Sequence, residues 1–171
     1  EAFEVKNNAF DEIKAFESEC SENISKYPDD SEWLNQSSDW LKRAFEQKFM
    51  YNFSWLGCAI IQLPNDIVAM QELIWKIKPD LVIETGIARG GSLVLSASML
   101  SLLDYCDAIA QGIMLDPMTP HRRVLGLDID IREHNRLAIE AHPMSNRIDM
   151  IEGSSIDPSI IEQVQEIARG Y

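Results

Sequence analysis

Positive charge is what this 171-residue sequence has least of: 15 Lys and Arg stand against 28 Asp and Glu, a formal net charge of −13. No run of Lys and Arg is longer than Arg122–Arg123. A surface of that sign repels polyanions, so neither nucleic acid nor an anionic membrane is an expected partner. Cysteine is scarce too. Cys20, Cys58 and Cys106 are odd in number, far apart and without CxxC spacing, which excludes a paired disulfide framework and leaves free thiols in a reducing compartment as the expectation. No stretch is read as approaching the roughly 18 to 20 apolar residues of a membrane span. The start (Glu1, Phe3, Glu4, Lys6) lacks the charged-then-apolar form of a secretion signal. A cytoplasmic location is expected.

What is present is ordinary globular composition, 46% hydrophobic and 25% charged, so a packed core is expected. The length gives room for one domain, or one domain with an appendage. Residues 1–50 read as a helical appendage, with Phe3, Phe10, Ile13 and Phe16 near helical spacing and a break at Pro28-Asp29-Asp30-Ser31. Beyond the break Trp33, Leu34, Trp40, Leu41, Ala44 and Phe45 make an apolar stripe of the docking or core kind.

Residues 51–171 hold the main domain. Tyr51 to Pro64 reads as an aromatic loop laid on the core. Asn65 or Asp66 is expected to cap a helix with Ile67, Met70, Leu73, Ile74 and Ile77 on one face, ended by Pro79. Short apolar runs then alternate with helices, the pattern of a parallel sheet. Leu81–Ile83, Val124–Leu127 and Arg147–Ile151 are the expected strands. The helices are expected from about Ser92 to Leu103, from an Asp130/Glu133 capping box to before Pro143, and from Asp157-Pro158 to Gly170. The mixed stretch from Asp104 to His121 reads as a linker leaving the sheet. The fold class is therefore α/β, a Rossmann-like doubly wound parallel sheet of the class I methyltransferase type, stopping after its third strand and helix.

The chemistry concentrates at the strand ends. Glu84-Thr85-Gly86-Ile87-Ala88-Arg89-Gly90-Gly91-Ser92 joins the first strand to the next helix, the place where doubly wound sheets bind nucleotides and related cofactors. It is not the dinucleotide G-x-G-x-x-G, because Ala88 stands where the second glycine is needed for pyrophosphate to approach. A carboxylate beside a helix N-terminus also disfavours a pyrophosphate, so Glu84 selects a cationic ligand. S-Adenosylmethionine, with its ammonium and sulfonium groups, meets that requirement. Gly86, Ala88, Gly90, Gly91 and Ser92 are assigned with Glu84 to its methionine end, where Arg89 is in reach of a carboxylate. Asp128, ending the second strand, is assigned to the ribose hydroxyls, and Asp130 to a helix cap. After the third strand, Ser154, Ser155 and Ile156 are assigned to the adenine.

These motifs resemble known families. Glu84 to Ser92 is similar to the first motif of catechol-type, metal-dependent O-methyltransferases. More narrowly, Asn52-Phe53-Ser54-Trp55-Leu56-Gly57, the glycine turn, Leu127-Asp128-Ile129-Asp130-Ile131-Arg132 with His134-Asn135, and Glu152 to Pro158 resemble the cephalosporin hydroxylase family. The resemblance runs from about residue 50 onward. It implies methyl transfer from S-adenosylmethionine to a hydroxyl of a small molecule or sugar, assisted by Mg2+ or a similar divalent ion that holds and acidifies that hydroxyl.

Members of that family place their metal-binding carboxylates on and after a fourth strand, so no metal ligand and no catalytic base is carried over, and the ion is expected only together with that part. His134 and His142, eight residues apart on one helix, are about 12 Å apart along its axis and do not share an ion. A first strand left without its outer neighbour exposes an apolar edge, so a fragment of a longer protein or a homo-oligomer is expected. Two rival readings stay open: a truncated, non-catalytic interaction module, and an NAD-dependent oxidoreductase, which the missing glycine and Glu84 oppose.

Overall fold

The computed structural model describes residues 2–171, with side chains from Phe10 onward, so the Glu1 start and the Phe3 side chain lie outside the described residues. The chain divides into two compact units, at Gln47 and Lys48. The first consists of α1 (Ala2–Lys26), a 3-10 turn at Tyr27–Asp29 and α2 (Ser31–Glu46). Pro28 sits in that turn, and Asp30 restarts the helix by accepting the Trp33 amide at 2.9 Å, a side-chain N-cap. The Trp33, Leu34, Trp40, Leu41 and Phe45 stripe on α2 is largely exposed.

The second unit is a parallel sheet with its helices. β3 (Leu81–Thr85), β4 (Arg123–Asp128) and β5 (Ile148–Glu152) pair in sequence order, with Glu84 opposite Gly126 and Asp128 opposite Glu152. The strands therefore finish together and present their acidic ends along one rim. α4 (Gly91–Gln111) and α5 (Glu133–Glu140) make the crossovers, and α6 (Pro158–Ala168) follows β5, its N-cap Asp157 accepting the Ser159 amide. Leu93, Val94, Ala97 and Leu100 of α4, Val124 of β4 and Ile139 of α5 are fully buried. Gly126 makes the close approach possible, since a Cβ there would lie 2.8 Å from Leu93 and 2.9 Å from Ile87.

Five expectations need correction. Tyr51 to Pro64 is not a plain loop: β1 (Phe53–Trp55) and β2 (Cys58–Ile60) form a hairpin. Its turn has Leu56 at φ 46° and Gly57 at φ 86°, a left-handed pair that the word Leu-Gly does not advertise. α3 (Pro64–Ile77) has no side-chain cap; Pro64 occupies its first turn instead. α4 runs eight residues past Leu103 to Gln111, so the first eight residues of the expected linker are helix, and Gly112 ends it at φ 65°. α5 starts after Arg132 without a side-chain cap, so Asp130 is not its cap. Finally, α4 is long and apolar enough to cross a membrane by length and composition, which the absence of a contiguous apolar run concealed. Its apolar face is the one packed on the sheet.

β3 keeps one unpaired edge among the described strands. The expected face of α3 is only partly used: Ile74 is buried and Met70 packs on the core, while Leu73 and Ile77 are exposed.

Candidate functional site

The site is built where β3 gives way to α4. Gly86 turns the chain at φ 81°, Ala88 at 46° and Gly90 at 82°, three left-handed residues within five. Such a turn stands only if its polar groups are met. The Gly86 amide donates to the Leu127 carbonyl at 2.7 Å and the Gly90 amide to the Ile87 carbonyl at 2.7 Å. Asp128 Oδ2 accepts from the Ile87 amide at 2.9 Å and the Ala88 amide at 3.4 Å, while Oδ1 accepts from the Asp130 amide at 3.2 Å. Asn135 Nδ2 donates to the Ala88 carbonyl at 2.9 Å. The second strand's acid and a side chain of α5 thus brace the first strand's turn.

Glu84 is half-buried near the end of β3 and accepts a hydrogen bond from Ser92 Oγ in the first turn of α4. Burial pushes its carboxyl above the ordinary 4.5, and the Ser92 bond opposes that shift. It faces a cavity of about 380 Å³ bounded by the glycine turn on one side and, on the other, by Ala59 of the hairpin with Ile61 and Gln62 just after it. Two further depressions adjoin it. One of about 300 Å³ runs over Gly86, Asp128, Ser154 and Ser155; the other, of about 370 Å³, lies among Ala88, Arg89, Asp128 and Asn135. All three share residues of the turn, so they form one crevice at the carboxyl ends of the strands.

The hairpin is the crevice's fixed wall. Trp55 Nε1 donates to Ser98 Oγ at 2.9 Å, Cys58 Sγ to the Arg89 carbonyl at 3.3 Å, and His142 Nε2 meets the Leu56 carbonyl at 3.1 Å. Since His142 Nδ1 accepts the Met144 amide, Nε2 carries the proton that Leu56 receives. His142 is therefore a fastening residue. His134 lines the third depression.

The expected residues separate into two groups. Glu84, Gly86, Ala88, Gly91, Ser92, Asp128, Ser154 and Ser155 line the crevice. Gly90 does not; a Cβ there would sit 2.3 Å from Ile139, so its glycine serves packing of α5. Gly91 does both, because a Cβ would meet the Ala59 carbonyl oxygen at 2.3 Å. Ile156 is 84% exposed and lines none of the three depressions. Arg89 is exposed at the crevice and is in no ion pair among the described residues. Sequence reasoning assigned no role to Asn135, whose partner Ala88 lies on a distant segment, or to Gln62, which reaches the crevice from beyond the hairpin.

The crevice fits a cationic, nucleoside-bearing cofactor on this structure's own terms. The space a side chain on Gly86 would enter is open, with nothing within 4 Å, and a half-buried acid stands beside it. No group of three or more His, Cys, Asp and Glu able to hold a metal ion occurs among the described residues.

Solved structures that resemble the chain include the CmcI-N160 apo-structure, at 21% identity and a TM-score of 0.47, covering 68% of this chain and 42% of that one, and CmcI-N160 SAH, at 18% and 0.39, covering 60% and 43%. The chain thus spans less than half the length of either. No curated protein matches. The model of the rhamnosyl O-methyltransferase/CmcI family matches residues 47–171, the whole of the sheet-bearing unit together with Gln47 just before it, and the chain belongs to that family.

Proposed function

We propose that this chain provides the S-adenosylmethionine-binding part of an O-methyltransferase that acts on a hydroxyl of a small molecule or sugar. The observation that carries the reading is Glu84: a half-buried carboxylate, held by Ser92, facing an open cavity beside a left-handed glycine. A buried acid without a cationic partner is costly, and a ligand that brings positive charge removes that cost. Membership of the rhamnosyl O-methyltransferase/CmcI family supports the reaction class.

Within that reading, Glu84 neutralises the cationic end of the cofactor. The bare Gly86 backbone lets the ligand lie close to the turn. Asp128, already ordered by three amides, keeps lone pairs for the ribose hydroxyls. Ser154 and Ser155 border the adenine end. The bound cofactor supplies an electrophilic methyl on sulfur, and the protein's task is to aim it and exclude water. The acceptor's proton leaves to a base that is not assigned among these residues. A divalent ion belongs to the proposal only with further carboxylates. A cytoplasmic location and self-association through the free β3 edge complete it.

Calorimetric titration with S-adenosylhomocysteine tests the reading. Binding that is abolished by Glu84→Ala is expected; a folded protein that ignores this ligand, or one that instead gives a saturable fluorescence response with NADH, overturns it. Light scattering tests self-association, and a monodisperse monomer counts against it.

A further inference from the structure

The Gln62 side-chain oxygen is buried and has no hydrogen-bond partner, although the residue lines the same cavity as Glu84. Buried acceptors are rarely left unmet, so one at a ligand cavity calls for an explanation. Gln62 directly precedes Leu63 and α3, so its backbone is held between the fastened hairpin and a helix, and the carboxamide is delivered to the cavity from a rigid base. The terminal torsion of glutamine is broad, which leaves the amide free to turn toward a ligand without moving the chain. Three groups then converge: an acid at Glu84, a carboxamide at Gln62, and the Arg89 guanidinium, which lines the same cavity.

We propose that Gln62 is a specificity-determining residue that reads the zwitterionic amino-acid head of the ligand, its oxygen accepting from the ammonium group that Glu84 also faces, while Arg89 meets the carboxylate. The inference rests on the S-adenosylmethionine reading and deepens it. An acid alone selects any cation. An acid, an amide and a guanidinium together select an α-amino acid, because only that group offers several N–H donors and an anion a few ångströms apart. Gln62 therefore distinguishes the complete cofactor from its nucleoside remnant.

The test compares S-adenosylhomocysteine with 5′-methylthioadenosine, which keeps the nucleoside and lacks the amino-acid head, by calorimetry on the full chain. The wild type is expected to prefer S-adenosylhomocysteine. Gln62→Leu is expected to weaken S-adenosylhomocysteine about tenfold, the size of a lost bond to a charged group, while methylthioadenosine binding stays unchanged and serves as the control for folding. Gln62→Glu, which retains an acceptor oxygen, is expected to keep the preference and guards against a leucine variant that fails to fold. Equal weakening of both ligands by Gln62→Leu, or no change in either, overturns the role of Gln62 while leaving the cofactor reading standing. Failure of the wild type to bind either ligand overturns the cofactor reading, and this inference with it.

Discussion

Asn135 Nδ2 donates to the Ala88 carbonyl at 2.9 Å, joining residues 47 positions apart. Ala88 is the one non-glycine residue of the turn at positive φ, and its carbonyl is held by a side chain of α5. Left-handed backbone at alanine persists only where its surroundings over-determine it. Asn135 is one of those surroundings, and Asp128 at the Ile87 and Ala88 amides is the other.

Asn135→Ala is expected to loosen the turn and weaken adenosylhomocysteine binding by about fivefold, equivalent to about 1 kcal/mol for one hydrogen bond. Asn135→Asp is not expected to restore it, because a carboxylate has no donor for the carbonyl. Calorimetry measures the affinity, and hydrogen exchange at residues 86–92 measures the loosening. Unchanged exchange in Asn135→Ala would show that Asp128 suffices.

The Glu84 carboxyl gives a pH dependence of definite sign. Burial raises it above 4.5, so in the window just above that value the folded chain holds a proton that the unfolded chain has released. The contribution of Glu84 to stability is thus complete in acid and lost as pH rises through the raised value. Glu84→Gln is expected to be more stable than wild type at neutral pH, with the difference closing below pH 4.5, while binding of a cationic ligand is impaired. Urea midpoints across that range check it; a variant less stable at neutral pH contradicts the burial cost.

The α/β alternation, the three strands and the capping of α6 by Asp157 were legible because each rests on local signals: a short apolar run, or a cap next to a proline. The hairpin was not, since its left-handed Leu56-Gly57 turn uses a residue that propensity does not favour there. The full length of α4 was hidden by Asp104 and Asp107, which look like linker acids and are ion-pair partners inside a helix. At the site, Glu84, Gly86 and Ser92 follow one another along a strand-turn-helix and Asp128 ends the next strand, so they could be read in order. Asn135 and Gln62 could not, because the Asn135 contact with Ala88 and the place of Gln62 at the cavity exist only after folding. Gly90 was readable as a turn glycine but not as a packing one, for Ile139 is 49 residues away.

Those α4 acids yield another expectation. Arg147 is 3% exposed and donates to Asp104 at 2.6 Å; Arg122 donates to the other oxygen of Asp104 at 2.6 Å and to Asp107 at 2.7 Å. Asp104→Ala strands the buried Arg147 charge, since Asp104 is its sole ion-pair partner among the described residues. A loss of about 3–5 kcal/mol is expected from breaking a buried pair on one side. Chemical denaturation measures it, and a loss under about 1 kcal/mol would mean that water reaches the guanidinium.

The glycines of the turn separate by what their missing Cβ would meet. Gly91→Ala drives a methyl into the Ala59 carbonyl at 2.3 Å, backbone that is pinned by the hairpin. A cost of about 1–3 kcal/mol with displacement of β2 is expected. Gly86→Ala meets nothing within 4 Å but must hold φ 81°, so about 1 kcal/mol of backbone strain is expected without repacking. Tryptophan fluorescence of Trp55 distinguishes the two, shifting in the first variant and not in the second.

Cys58 shows what it means for a wall to be fastened through sulfur. Its thiol gives its hydrogen to the Arg89 carbonyl, and burial pushes its ionisation upward. The species that electrophiles and peroxides attack is the anion, so this position stays chemically quiet in air and toward maleimides. Cys106, exposed on α4, takes up label instead once Cys20, the other free thiol, is replaced. A reporter dye can therefore be attached remote from the crevice, without first removing the native sulfur that borders it.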